Sequence, residues 1–174
     1  MSGAGGASLA TVPSVRISHK VAHAVRVTTT LARLTADDPR RVVSGHVLAA
    51  TDDLPPGFLH DILRLLRNGR ILQSRRGAEG GWALARPAAE ITVAGIIRAV
   101  EGPLASVRGV RPHELAATGE EEAFVELWIA TRAALRSVLE RVTVADLAAG
   151  ELPPKVAKLA RDPDAWDDRR PTDG

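Results

Sequence analysis

The 174-residue chain contains no cysteine. That single absence excludes disulfides, thiolate-ligated zinc, cysteine-ligated iron–sulphur clusters and cysteine nucleophiles. Catalytic signatures are missing as well. There is no G-x-x-x-x-G-K phosphate loop, no G-x-S-x-G elbow and no paired acid motif with a helper, so the chain is not read as an enzyme. No apolar run reaches the roughly 18 residues that a membrane-spanning helix needs. The first fourteen residues lack the basic start and apolar stretch of a signal peptide, so the cytoplasm is the expected compartment. His19 and His23 have the i, i+4 spacing of metal ligands, with His113 and Glu114 farther on, but no H-E-x-x-H pattern accompanies them. Two histidines at helical spacing are more often surface or core residues, and no metal or cofactor is expected.

What is present is 45% apolar content in a chain long enough to bury a core without staples. The formal charge of +2 conceals an asymmetry. Residues 15–90 carry twelve basic and seven acidic side chains, whereas residues 91–174 carry eleven and fourteen. The first half is therefore the candidate for a polyanionic partner. Twenty of the 23 basic residues are arginine, a bias that GC-rich coding explains as readily as phosphate recognition.

Residues 1–14 are small and polar without periodicity and are expected to be a flexible leader, with Val15 an alternative start. A helix is predicted from an N-cap at Ser18, with Val21, Ala24, Val25, Leu31 and Leu34 on one face, until Asp37, Asp38 and Pro39 stop it. Ser44 to Ala50 reads as a short helix, and Thr51 to Asp53 as a turn. A proline-started amphipathic helix then runs to about Asn68, with Phe58, Leu59, Ile62, Leu63, Leu65 and Leu66 apolar and His60, Asp61, Arg64 and Arg67 polar. Two such helices across a short turn, with a third before them, are the elements of a helix-turn-helix. Ile71 to Ser74 and Trp82 to Leu84 are predicted strands around R-R-G-A-E-G-G, whose glycines allow a tight turn. A hairpin directly after the second helix is a wing.

The stretch from Phe58 to Pro87, including R-G-A-E-G-G-W-A-L-A-R-P, and the run I-T-V-A-G-I-I-R-A-V-E-G-P-L from Ile91 to Leu104 resemble the IscR/NsrR-type (Rrf) family of bacterial winged helix-turn-helix transcription regulators. The opening V-R-I-S-H-K at Val15 and an aromatic-centred helix from Glu120 to Val142 fit the same pattern, so the resemblance covers about residues 15–149. It implies a mainly α fold: a winged helix-turn-helix over 15–104, then an effector loop and dimerisation helix over 105–150. Residues 151–174, mixed in charge and poor in apolar side chains, are expected to form a mobile tail. One position departs from the family, which usually places glycine just before the first wing strand; here Gly69 is followed by Arg70. Gly69 is expected to supply the helix C-cap with a local change of register.

In helix-turn-helix geometry the start of the second helix meets base edges while its flanks hold phosphates. Pro56, Gly57, His60 and Asp61 fall on that side, with Arg64 and Arg67 farther along. Asp61 is equally well read as a solvated residue. Arg76 matches the family's wing arginine, which enters the narrow, electronegative minor groove; Arg75 and Gly77 flank it, and Glu79 is an anomalous acid at the tip. Arg16, Ser18 and Lys20 match a family segment that touches backbone phosphate, where Ser18 also serves as a plain N-cap. Ser44 and His46 are weaker phosphate candidates.

Phe124, Leu127, Trp128, Leu135, Val138 and Leu139 form an apolar stripe on a helix about 30 Å long. The stripe alone is compatible with ordinary core; the resemblance implies that it pairs two subunits. Many family members hold an iron–sulphur cluster with three cysteines ahead of this helix, but Pro103 to Gly119 has none. Cluster-based sensing is therefore excluded, leaving a small-molecule effector near Trp128, or no ligand. The sequence expectation is a repressor that binds double-stranded DNA at a palindromic operator as a homodimer. The alternative is a winged-helix module for protein contacts that no longer reads DNA. Trp166 in the tail is a weak candidate for docking on a partner.

Overall fold

Ser18 opens the first helix by accepting a hydrogen bond from the Val21 backbone N–H at 3.2 Å. The computed structural model describes residues 17–77, 79–106, 109–119 and 121–167, without the side chains of 116–118. Helix α1 spans His19–Leu34 and buries Val21, Ala24, Val27, Leu31 and Ala32. Its β-branched run does not leave buried hydroxyls unsatisfied. Thr28 donates to the Ala24 carbonyl at 2.7 Å and Thr29 to that of Val25 at 2.9 Å.

Helix α2, Gly45–Asp52, starts at Ser44, whose hydroxyl accepts from the Val47 N–H. It runs two residues beyond the predicted Ala50 because Asp52 turns inward, where Arg26 and Thr30 donate to its Oδ1 at 3.0 and 3.1 Å. Helix α3, Pro56–Asn68, follows after Asp53, Leu54 and Pro55. Leu59, Ile62, Leu63 and Leu66 are at most 2% exposed and lie at i, i+3, i+4 and i+7, the spacing that puts four side chains on one face. Burying each contributes roughly 1.5–3 kcal/mol.

Gly69 is the C-cap of α3, as expected, and its neighbour completes the turn. Gly69 has φ −78°, while Arg70 takes the left-handed conformation at φ +57°. Ile71 N–H donates to Leu66 and Arg70 N–H to Arg67, the paired pattern of a Schellman turn with Arg70 at the residue after the cap. Gly69 is also required for packing, because a Cβ there would lie 2.3 Å from the Cβ of Ala99 on the next helix.

Strands β1 (Leu72–Arg75) and β2 (Gly81–Leu84) pair antiparallel, Leu72 opposite Leu84 and Arg75 opposite Gly81. Helix α4, Val93–Glu101, is capped by Thr92 and packs against α1 and α3. After a 3-10 turn at Pro112–Thr118 comes α5, Glu122–Leu139. This helix stops three residues before the predicted Val142 because the chain turns back into the body. Val142 accepts from Val93 N–H at 2.9 Å and Val144 N–H donates to Ile91 at 2.8 Å. Helix α6, Val144–Ala149, thereby lays Val144 into the core beside α1, and Arg33 of α1 donates to the carbonyls of Leu147 and Ala148 at its C-terminal end. The sequence predicted no element in the segment after Gly150, which nevertheless contains α7, Pro154–Ala160, with Val156 buried.

Candidate nucleic-acid interface

The apolar stripe of α3 faces the core, so the opposite stripe is presented outward. Pro56, Gly57, His60, Asp61, Arg64 and Arg67 are all exposed. Pro55 precedes the helix and offers no capping side chain to the first-turn N–H groups. The His23 ring on α1 meets Phe58 edge to face at a centroid distance of 5.6 Å. This contact sets the start of α3 against α1 and gives His23 a packing role. Asp61 and Arg64 stand 3.9 Å apart and are both about half exposed, at 55% and 52%. Such a pair is worth at most about 1 kcal/mol in water, but Arg64 tempers the acidity of the face that Asp61 would otherwise present to phosphate.

The wing is joined to the helix-turn-helix by backbone. Val43, just ahead of α2, exchanges two hydrogen bonds with Trp82 of β2, at 2.9 and 2.8 Å. Gly81 makes this approach possible, since a Cβ there would sit 2.6 Å from the Val43 carbonyl oxygen. Ser44 is thereby brought to the foot of the wing. Arg75 ends β1, and Arg76 and Gly77 are exposed in the turn, where Gly77 has φ +113° and accepts from Gly80 N–H at 2.9 Å. Glu79 is exposed there too.

Ser18 and Lys20 lie at the start of α1, Lys20 half-buried; Arg16 lies outside the described residues. Val43 and Gly81 were missed by sequence reasoning. The pair Val42–Val43 before Ser44 does not announce a one-residue bridge, and Gly81 reads only as part of a turn.

This arrangement is a helix-turn-helix with a wing bonded to it. The model of the Rrf2 family, described as "Iron-dependent Transcriptional regulator", matches residues 17–150. The chain belongs to the Rrf2 family. That family comprises transcriptional regulators, not enzymes. The chain is 46% identical over 148 residues, 85% of its length and 90% of the relative's, to a Mycobacterium tuberculosis (strain H37Rv) protein named "Putative HTH-type transcriptional regulator Rv1287". To the HTH-type transcriptional regulator CymR of Bacillus subtilis it is 34% identical over 134 residues, 77% of this chain and 90% of that one. Among solved structures, it is similar to CymR of B. subtilis with a TM-score of 0.63 at 33% identity, covering 79% of this chain and 98% of that one. It is also similar to T. potens IscR with a TM-score of 0.60 at 26% identity, covering 78% and 88%.

This Rrf2-family chain does not fit an iron–sulphur cluster. The segment between α4 and α5 offers no thiolate to ligate the irons. Among the described residues, no three His, Asp or Glu side chains come together as a metal site. None of the described helices is long and apolar enough to cross a membrane.

Of the eighteen residues of α5, only Val125 is buried. Leu127 is 57% exposed and Ile129 44%, while Phe124, Trp128, Leu135, Val138 and Leu139 are half-buried. Phe124 and Trp128 meet edge to face at 6.1 Å, and the Trp128 indole N–H is buried without an acceptor among the described residues. A helix this apolar with so little of it covered by its own chain is incompletely packed as a single copy.

Proposed function

We propose that this Rrf2-family chain is a homodimeric, sequence-specific DNA-binding repressor that acts in the cytoplasm at a palindromic operator, without an iron–sulphur cluster. The observation that carries the reading is α3. Its apolar residues are spent on the core, leaving Pro56, Gly57, His60, Asp61 and Arg64 exposed at the end that a recognition helix offers to the major groove.

Around that end, Arg75, Arg76 and Gly77 form a wing tip, with Arg76 suited to the minor groove. Arg16, Ser18, Lys20 and Ser44 serve as backbone-phosphate contacts. The Ser18 and Ser44 oxygens accept from their helix starts while the hydroxyl hydrogens stay free to donate. Pairing of two α5 helices through Phe124, Leu127, Trp128, Leu135, Val138 and Leu139 covers the open stripe. A two-fold dimer places the α3 helices on half-sites roughly 34–36 Å apart. Repression follows from occupancy of a promoter and needs no chemistry.

The test is a gel shift of the purified protein on the DNA upstream of its own gene, across a series of salt concentrations. Tight, sequence-selective binding that weakens steeply with salt is expected. Absence of binding at low salt would overturn the reading in favour of a winged-helix module for protein contacts.

A further inference from the structure

Three arginines line one pocket at the junction of α4 and α5. Its walls are Arg98 of α4, the Pro103–Ala105 loop that follows, Arg111 ahead of the 3-10 turn and Arg132 of α5, around an open volume of about 320 Å³. Among the described residues, no acidic side chain lines it. Arg98 is held from outside by Glu140, which Arg136 also contacts at 3.0 Å. Arg132 lies 3.0 Å from Nδ1 of His113. A guanidinium only donates, so that nitrogen accepts and the ring supplies no negative charge. Among the described residues, Arg111 and Arg132 have no carboxylate within ion-pair distance.

Positive charges gathered in one recess repel one another until a counter-charge arrives. Guanidinium forks match the oxygens of carboxylates and phosphates in bidentate geometry. The volume is at the small end of the roughly 300–1,000 Å³ typical of ligand sites. Pro103, Leu104 and Ala105 add an apolar wall for a carbon skeleton.

We propose that this pocket is a binding site for a small di- or tricarboxylate. The anion bridges Arg111 and Arg132, takes a further contact from Arg98, and so ties α4, its following loop and α5 together. The site does not depend on the DNA-binding reading.

The experiment is titration of the full chain without DNA by calorimetry and thermal denaturation. The probes are citrate, inorganic phosphate and acetate, at ionic strength held constant with sodium chloride. Citrate is expected to bind saturably at one per chain and to raise Tm with the logarithm of its concentration, while phosphate binds more weakly and acetate gives no saturable signal. Arg111→Ala with Arg132→Ala should lower citrate affinity at least tenfold. Should that pair unfold the protein, Arg111→Lys with Arg132→Lys keeps the charge, removes the forks and should still weaken binding. Citrate effects no larger than those of matched sodium chloride, or unaltered citrate binding in whichever of these variants folds, would overturn the site. Saturable phosphate binding tighter than that of citrate would overturn the carboxylate assignment.

Discussion

Replacing Arg70 by glycine should stabilise this protein, and replacing its neighbour Gly69 by alanine should destabilise it. Arg70 holds φ +57° at the Schellman turn that ends α3. An L-residue in the left-handed region costs about 1–2 kcal/mol, and glycine removes that cost while adding about 0.4–1 kcal/mol of unfolded-state entropy. The net expectation for Arg70→Gly is about 0.5–1 kcal/mol of added stability, or a Tm rise of about 1–4 °C. Gly69 has an ordinary φ of −78°, so helix propensity alone would favour alanine. Packing decides otherwise. The new Cβ would sit 2.3 Å from the Cβ and 3.1 Å from the Cα of Ala99, against a carbon–carbon optimum of about 3.5–4.0 Å. Helix α4 cannot retreat freely, because Ile96 on it is fully buried in the core. The overlap should cost about 1–3 kcal/mol. Urea denaturation followed by far-UV circular dichroism measures both variants. A double-mutant cycle with Ala99→Gly should recover part of the Gly69→Ala loss, because the shared contact couples the two sites. A neutral or stabilising Gly69→Ala, or additive behaviour with Ala99→Gly, would refute the reasoning.

Arg76→Ala should weaken specific operator binding by about 1–3 kcal/mol, the range of a good base contact; unchanged affinity in the gel shift would remove the wing tip from the interface. Lys20→Ala should weaken binding to all sequences alike and lower the salt slope by about one unit; a changed base preference would contradict a phosphate contact. Leu127→Glu places a charge on the exposed part of the α5 stripe and should shift sedimentation from dimer to monomer. A dimer that persists unchanged would show that α5 is not the pairing surface. The hydrogen bond from Arg136, then that from Arg98, holds the Glu140 carboxyl below its usual range. A depressed folded-state pKa contributes stability above the unfolded pKa and loses it as pH falls through the folded one. The Tm difference between the native chain and Glu140→Gln should therefore shrink on acidification through the carboxylate range. A difference that grows instead would contradict the pairing.

Much of the interface was legible in the residue pattern. The spacing of Leu59, Ile62, Leu63 and Leu66 implies the buried stripe of α3, and with it the exposed positions of His60, Asp61 and Arg64. Ser18 and Ser44 announced two helix starts because an N-cap is local chemistry, read within four residues. The Val43–Trp82 bridge was not legible, since it joins residues nearly forty positions apart through main-chain atoms that any sequence possesses. Nor was the close approach of Gly69 to Ala99, where glycine stands for a neighbouring helix and not for a turn.

The sequence by itself determined the class of the protein, the order of the helix-turn-helix and its wing, and, through the absence of cysteine, the loss of any thiolate-held cluster. Those conclusions rest on local periodicity and on which side-chain atoms exist at all. The tertiary structure alone decided how the wing is bonded to the helix-turn-helix, why the chain leaves α5 at Leu139 to pair with Ile91 and Val93, how much of α5 remains uncovered, and that Arg98, Arg111 and Arg132 share one pocket. These depend on contacts between distant segments, whose geometry is set only when the core closes.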